Sequence, residues 1–191
     1  MPLLEWHEKR FRETSALLYA IQRRKTLAQY FDQLAMPTKG LYKVRVVYSK
    51  SKVKVEWAKY TLSKHQTVEL RTDNEISYPT KNENRLLLNQ HKAATNADDF
   101  IIVQHGKLTD AWYSNIALLK NGKWYTPSTP LLNGVKRKSL ITTDSLEVKE
   151  IKAVDISTYE QIAFINAMRD FEKKYNFRVE GNMLYLTEVP Q

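Results

Sequence analysis

The sequence predicts an α+β protein of two lobes, a small α/β lobe first and a larger lobe of strands and helices after it. Three observations predict this. Residues 4–21 space their apolar side chains as a helix does, and 41–49 and 52–60 then alternate apolar and polar residues across a short polar turn. The second half runs instead through a helix, a strand meander with Gly106 and Gly122 in its turns, and a further helix followed by strand. Between the halves lies "SYPTK" (77–81), an extended crossing where Pro79 disfavours helix. The expected domains are 1–77 and 78–191.

Taken in order, "LEWHEKRFRETSALLYAI" (4–21) sets Trp6, Phe11, Leu17, Leu18 and Ile21 among charges at helical spacing, and a second helical piece follows around "KTLAQYFDQL". "MPTKG" (36–40) breaks it. "LYKVRVVYS" and "KVKVEWAKY" form a hairpin, and "TVELR" (67–71) reads as a strand. "NENRLLLNQHKAAT" (82–95) is helical, and "DFIIVQHG", "LTDAWYSNIALLKNG" and "KWYTP" are the meander. "VKRKSLITTDSL" is helical after Asn133-Gly134, "EVKEI" is a strand, and "AVDISTYEQIAFINAM" holds a turn, a short helix and a buried strand.

With 191 residues, 42% of them apolar, the chain can bury a substantial core. It has no cysteine, which excludes disulfides and thiolate metal sites, and its four histidines lack metal-ligand spacing, so no metal is expected. No apolar run approaches the roughly 18 residues of a membrane helix. "MPLLEWHEKRFRE" becomes charged too soon for a signal peptide. A cytoplasmic protein without membrane contact is therefore expected. Net charge is +9, but the basic residues are scattered and the densest runs, 23–25 and 136–138, are short. An enzyme for phosphorylated or carboxylate ligands accounts for that charge as well as nucleic acid does, and nucleic acid is not expected as a partner.

Three features in or near the second lobe point to chemistry. Lys81 follows the crossing, at the start of the next helix. Asp110 lies in an apolar, aromatic strand. Gly134 opens a helix whose first backbone N–H groups face whatever packs there. Singly each has a structural explanation: a solvated lysine, a strand-starting acid, a turn with its cap. Together they match what pyridoxal 5′-phosphate needs: an amine for a Schiff base, a carboxylate against the pyridine nitrogen, and helix N-terminal amides for the phosphate.

The motifs also stand in the order of a known family. Lys81 with Asn84 and Arg85, Asp110 through Asn115, Thr126-Pro127, and Leu132 through Arg137 resemble the large domain of the class IV aminotransferases, the fold-type IV enzymes that include branched-chain and D-amino-acid aminotransferases and aminodeoxychorismate lyase. The resemblance is specific over residues 78–141 and extends over 4–60. It implies a small α/β N-terminal lobe, a β-barrel-like C-terminal lobe with helices, a homodimer, and pyridoxal 5′-phosphate as cofactor. Lys81 becomes the Schiff-base lysine and proton carrier, and Asp110 the partner of the pyridine nitrogen. Val135 and Lys136 hold the phosphate through their backbone, with Gly134 letting the chain turn close to it. "HEKR" resembles the family's H-x-x-R helix, which puts Arg10 on the phosphate and leaves His7 a supporting role. Arg45, amid alternating apolar residues, either faces solvent or clamps a substrate carboxylate.

Three departures qualify what is carried over. The acid is Asp where the family usually has Glu. "FINAM" stands where a phosphate-binding Ser or Thr is usual, with Asn166 as the substitute donor. Only six residues precede His7, so the lobe lacks the family's first strand or its start is read too late. The expected activity is amino-group transfer from a small amino acid. Elimination of pyruvate from aminodeoxychorismate and a non-catalytic family member are the alternatives.

Overall fold

The computed structural model describes residues 3–190 apart from 33, 36, 38, 63 and 170. The chain divides into two compact units, Met1–Ser63 and Lys64–Gln191. This division lies ahead of the expected 77/78 boundary because the strand at 67–72 is committed by pairing to the second unit.

In the first unit, helix α1 (Leu4–Tyr19) begins after Leu3 and ends at Ala20, both in left-handed backbone conformations. Helix α2 (Leu27–Phe31) is short and held by a capping box, Thr26 and Gln29 satisfying each other's backbone amides. Strands β1 (Tyr42–Tyr48) and β2 (Val53–Lys59) pair antiparallel with Tyr42 opposite Lys59. The core here is aromatic: Phe11 is buried and meets Tyr48 and Tyr30 edge to face, while Arg23 lies over the Phe11 and Tyr48 rings and donates to Ser15. Leu17 and Leu18, which the periodicity counts as apolar-face residues, are exposed. Charge is divided unevenly. Residues 1–63 carry 13 Lys and Arg against 5 Asp and Glu, and 64–191 carry 17 against 16, so the net charge belongs almost wholly to the first unit.

The second unit contains β3 (Thr67–Thr72), α3 (Leu86–Ala93), β4 (Asp99–Gln104), β5 (Lys107–Ala111), β6 (Asn115–Lys120), β7 (Lys123–Pro127), α4 (Val135–Thr142), β8 (Glu147–Lys149), a 3₁₀ helix (Ala153–Thr158), β9 (Gln161–Ile165), β10 (Tyr175–Glu180) and β11 (Met183–Glu188). The order β5-β4-β3-β11-β10-β9-β6, with β6 returning to β5, closes a seven-stranded barrel, and β7 and β8 continue outward from β6. The closure runs through the pair Asp110–Asn115, so the acid singled out from the sequence stands at the seam of the barrel. Asn121-Gly122, both at positive φ, turn β6 tightly into β7.

Strands buried on both faces explain the continuous apolar runs. From β4, Ile101 and Val103 join a cluster with Val68, Leu108, Ile116, Leu118, Ile162 and Leu184. Phe100 and Ile102 instead pack with Leu88 of α3. On β6 and β9, Ala117, Ala163 and Ile165 face a third cluster that includes Leu140 and Ile141 of α4. Helix α3 is shorter than expected, starting at Leu86. The hairpin β10–β11 has no counterpart in the sequence reading.

Candidate active site

Asp110 is the penultimate residue of β5 and is buried at 6% exposure. Its Oδ1 accepts from Asn115 Nδ2 at 2.7 Å and its Oδ2 from the Leu132 N–H at 2.7 Å. Burial pushes its carboxyl up to about 7, opposed by the Leu132 and Asn115 bonds and by the charge of Arg137. The same Asn115 nitrogen donates to the Leu132 carbonyl at 2.7 Å, so one amide ties the acid to the chain that leads into α4.

Gly134 is the N-cap of α4, with φ −65° and ψ 148°, and no side chain caps this end. These angles suit any residue, so the glycine is not there for backbone freedom. A Cβ at this position would stand 2.2 Å from Asn115 Oδ1, and that close approach demands glycine. Beyond it the N–H groups of Val135 and Lys136 open the helix. Val135 is buried and Lys136 half-buried.

Arg137 fixes the turn from behind. It is buried at 4% exposure, and its three nitrogens donate to Thr126 Oγ1 (3.1 Å), Asn133 Oδ1 (3.0 Å) and the Pro127 carbonyl (2.8 Å). The Thr126 hydroxyl donates in turn to the Ile116 carbonyl at 2.9 Å. The Thr-Pro pair and the arginine that follow each other in the sequence are thus one buried clamp.

The loop from Trp112 to Ser114, between the acid and its asparagine, is held on several sides. Asn166 Nδ2 donates to Ser114 Oγ (3.1 Å) and weakly to the Tyr113 carbonyl (3.4 Å), while its Oδ1 accepts from Met168 N–H. Trp112 N–H donates to Asp99, a carboxyl that burial raises to about 6. Asp99 in turn lies 3.4 Å from His65, whose other ring nitrogen meets Arg169 at 2.9 Å. Arg85 donates to the Trp112 carbonyl and stacks its guanidinium on Tyr113 and Tyr78.

Asp110, Gly134, Val135 and Lys136 are therefore brought together, and Asn166 reaches the same seam through Ser114. Lys81 is exposed and lies in irregular chain, not at a helix start, because α3 begins only after Arg85. The Asn82 N–H to Thr80 carbonyl bond (2.8 Å) and the Tyr78 hydroxyl on the Asn82 carbonyl (2.6 Å) shape that segment. Arg85, four residues on, links the segment to the loop beside Asp110. Arg10 and Arg45 belong to the first unit. Arg10 contacts His7 one turn back on α1 at 3.3 Å, and Arg45, exposed on β1, pairs across the hairpin with Glu56 at 3.7 Å. In the sequence Asn115 and Arg137 stand only as members of the motifs; their burial against Asp110 and the α4 turn adds them to the candidate site.

A profile of the Amino-transferase class IV family matches residues 1–171. The chain belongs to the class IV aminotransferase family. An uncharacterized Haemophilus influenzae protein is 30% identical over 142 residues, covering 72% of this chain and 76% of that one. Among solved structures, a protein from Haemophilus somnus 129PT provisionally named a 4-amino-4-deoxychorismate lyase is similar with TM-score 0.80 and 27% identity, over 87% of this chain and 89% of that one. A provisionally named amino-acid aminotransferase from Mesorhizobium loti shares the fold at TM-score 0.75 and 17% identity, over 87% and 88%. Class IV aminotransferases and aminodeoxychorismate lyases are pyridoxal 5′-phosphate enzymes, and similar folds include a hypothetical aminotransferase from Mycobacterium tuberculosis in a PLP-bound form.

The burial of Asp110 has a measurable consequence. A carboxyl whose folded pKa is raised stabilises the fold fully below its unfolded pKa, and that contribution is lost as pH rises through the folded value. Measured against Asp110→Asn, the cofactor-free wild type should lose stability by up to about 1.4 kcal/mol per pH unit between about pH 4 and about pH 7. Denaturant unfolding of both proteins across that window checks it. A wild type that gains on the variant as pH rises would mean that Arg137 and the two donors outweigh the burial of the acid.

Proposed function

We propose that this chain is a pyridoxal 5′-phosphate enzyme acting on an amino carboxylate, with Lys81 as the covalent carrier of the cofactor. The observation that carries this reading is the buried Asp110, joined through Asn115 and Leu132 to the uncapped start of α4. These residues fit the group. Asp110 has a raised pKa and two donors that favour its ionised form, so a protonated pyridine nitrogen would supply the counter-charge that burial denies it. The N–H groups of Val135 and Lys136, at the positive end of α4, suit a phosphate. Asn166 is bonded to Ser114, Tyr113 and Met168, so its part is to hold the loop beside the acid.

When bound, the cofactor supplies an electron sink for the bonds around the substrate's amino-bearing carbon. The protein's residues do the rest. Lys81 holds the cofactor and moves a proton to or from the reacting carbon through Nζ. Asp110 keeps the pyridine nitrogen protonated. The α4 turn fixes the phosphate end, and the Arg137 clamp keeps that turn rigid.

Of the two outcomes open to this machinery, lyase-type elimination of pyruvate from an aminodeoxychorismate-like substrate is favoured over transamination. What supports it is that the Haemophilus somnus protein and a Schizosaccharomyces pombe relative, 31% identical over 81 residues that cover 39% of this chain and 35% of that one, both carry that activity in provisional names. Transamination of a small amino acid is the second reading, favoured by the Mesorhizobium loti structure. Assembly as a homodimer belongs to this reading, and the exposed Leu86 and Leu87 on α3 are consistent with it.

Two assays on the PLP-loaded protein separate the outcomes. Pyruvate release from aminodeoxychorismate without a 2-oxo acid is expected. Amino transfer to a 2-oxo acid without pyruvate release would reverse the order of the two readings.

A further inference from the structure

We propose that Asn115 is a positioning residue that sets the acid and the phosphate turn as one rigid unit, and that residue 134 is glycine because of it. This rests on the reading of Asp110 and the α4 turn given above. The side-chain amide of Asn115 spends both its protons, one on Asp110 Oδ1 and one on the Leu132 carbonyl, each at 2.7 Å. Leu132 N–H completes the loop by donating to Asp110 Oδ2 at 2.7 Å. The three groups form a closed cycle of bonds at the barrel seam, where Asp110 and Asn115 are themselves register partners.

The remaining atom of that amide, Oδ1, lies against Gly134, 2.2 Å from where a Cβ would be. The end of an asparagine side chain can ordinarily give way to a new methyl group. Here it is pinned by two short bonds, and moving it breaks the link to the acid and the link to the turn together. A substitution at Gly134 therefore acts on Asp110 by displacing Asn115. It follows that Asn115 and Gly134 are energetically coupled: once the amide is gone, a methyl at 134 has little left to disturb.

The test is a double-mutant cycle on the full-length protein, with PLP and inorganic phosphate alone as probes, followed by fluorescence titration. Gly134→Ala should weaken PLP binding about tenfold or more in the wild-type background, and by no more than about twofold in an Asn115→Ala background. Asn115→Ala alone should weaken both PLP and phosphate. It should also raise the pH at which PLP affinity falls on acidification, since Asp110 loses a donor that favours its ionised form. A merely structural role would leave that pH unchanged. If Asn115→Ala does not fold, Asn115→Ser, which also removes the atom facing Gly134, closes the same cycle.

Losses that multiply, with Gly134→Ala costing the same in both backgrounds, would overturn the proposal while leaving the cofactor reading intact. A wild type that binds neither PLP nor phosphate would sink both.

Discussion

Lys81→Ala is expected to abolish covalent capture of pyridoxal 5′-phosphate and to lower turnover by about 10³-fold or more, since carrier and proton donor go together. The fold should hardly notice. Lys81 is exposed, in irregular chain whose shape is set by the Thr80–Asn82 and Tyr78–Asn82 bonds and by Arg85. Substitutions at such surface positions typically change stability by less than about 0.5 kcal/mol. Non-covalent cofactor affinity should survive in part, because Asp110 and the α4 turn are untouched. Stopped assays of turnover beside thermal melts check both halves. A variant that still turns over at the wild-type rate would remove Lys81 from the chemistry.

Arg137→Ala is expected to be strongly destabilising. It removes three hydrogen bonds from a buried position and takes the guanidinium away from two buried acceptors, Thr126 Oγ1 and the Pro127 carbonyl. Leaving such acceptors unpaired costs about 1–3 kcal/mol each, so a loss of about 3–5 kcal/mol and a fall in Tm of about 10 °C are expected. Arg137→Lys should recover only part, because one ammonium cannot reach three acceptors set out in a guanidinium fork. Cofactor affinity should fall with stability, as the clamp holds the turn. Thermal unfolding with and without PLP measures both. An Arg137→Ala protein that melts with the wild type would mean the clamp contributes nothing to the fold.

The geometry of the candidate site is legible in the sequence wherever spacing alone carries the meaning. Asp110 and Asn115 stand five residues apart because they face one another across the turn that closes the barrel. Thr126, Pro127 and Arg137 stand ten or eleven apart because the arginine returns to bond both. What spacing did not convey was the reason for Gly134. Its φ is ordinary, and its constraint is a side chain 19 positions away, which no local turn rule contains.

The late start of α3 has a related cause. "NENR" has polar residues suited to a first helical turn, but the Asn84 side chain accepts from the Leu86 N–H and Arg85 is drawn to the Trp112 carbonyl, so the helix begins later. Hairpin β10–β11 shows its pattern in "YNFRVEGNMLYLTE", with alternating apolar residues about Gly181. It is also what joins β9 to β3 and so completes the barrel. Closure is a long-range property, and it emerges only from pairings between strands far apart in sequence.

The central claim is that Lys81 carries the cofactor in a cradle made by Asp110 and the start of α4. The most direct measurement is to load the wild-type protein with pyridoxal 5′-phosphate, reduce it with borohydride, and locate the added mass by peptide mapping. A single phosphopyridoxyl group on Lys81 is the predicted result. No label, or label spread over surface lysines with Lys81 not preferred, would contradict the account and leave the family's fold without its chemistry.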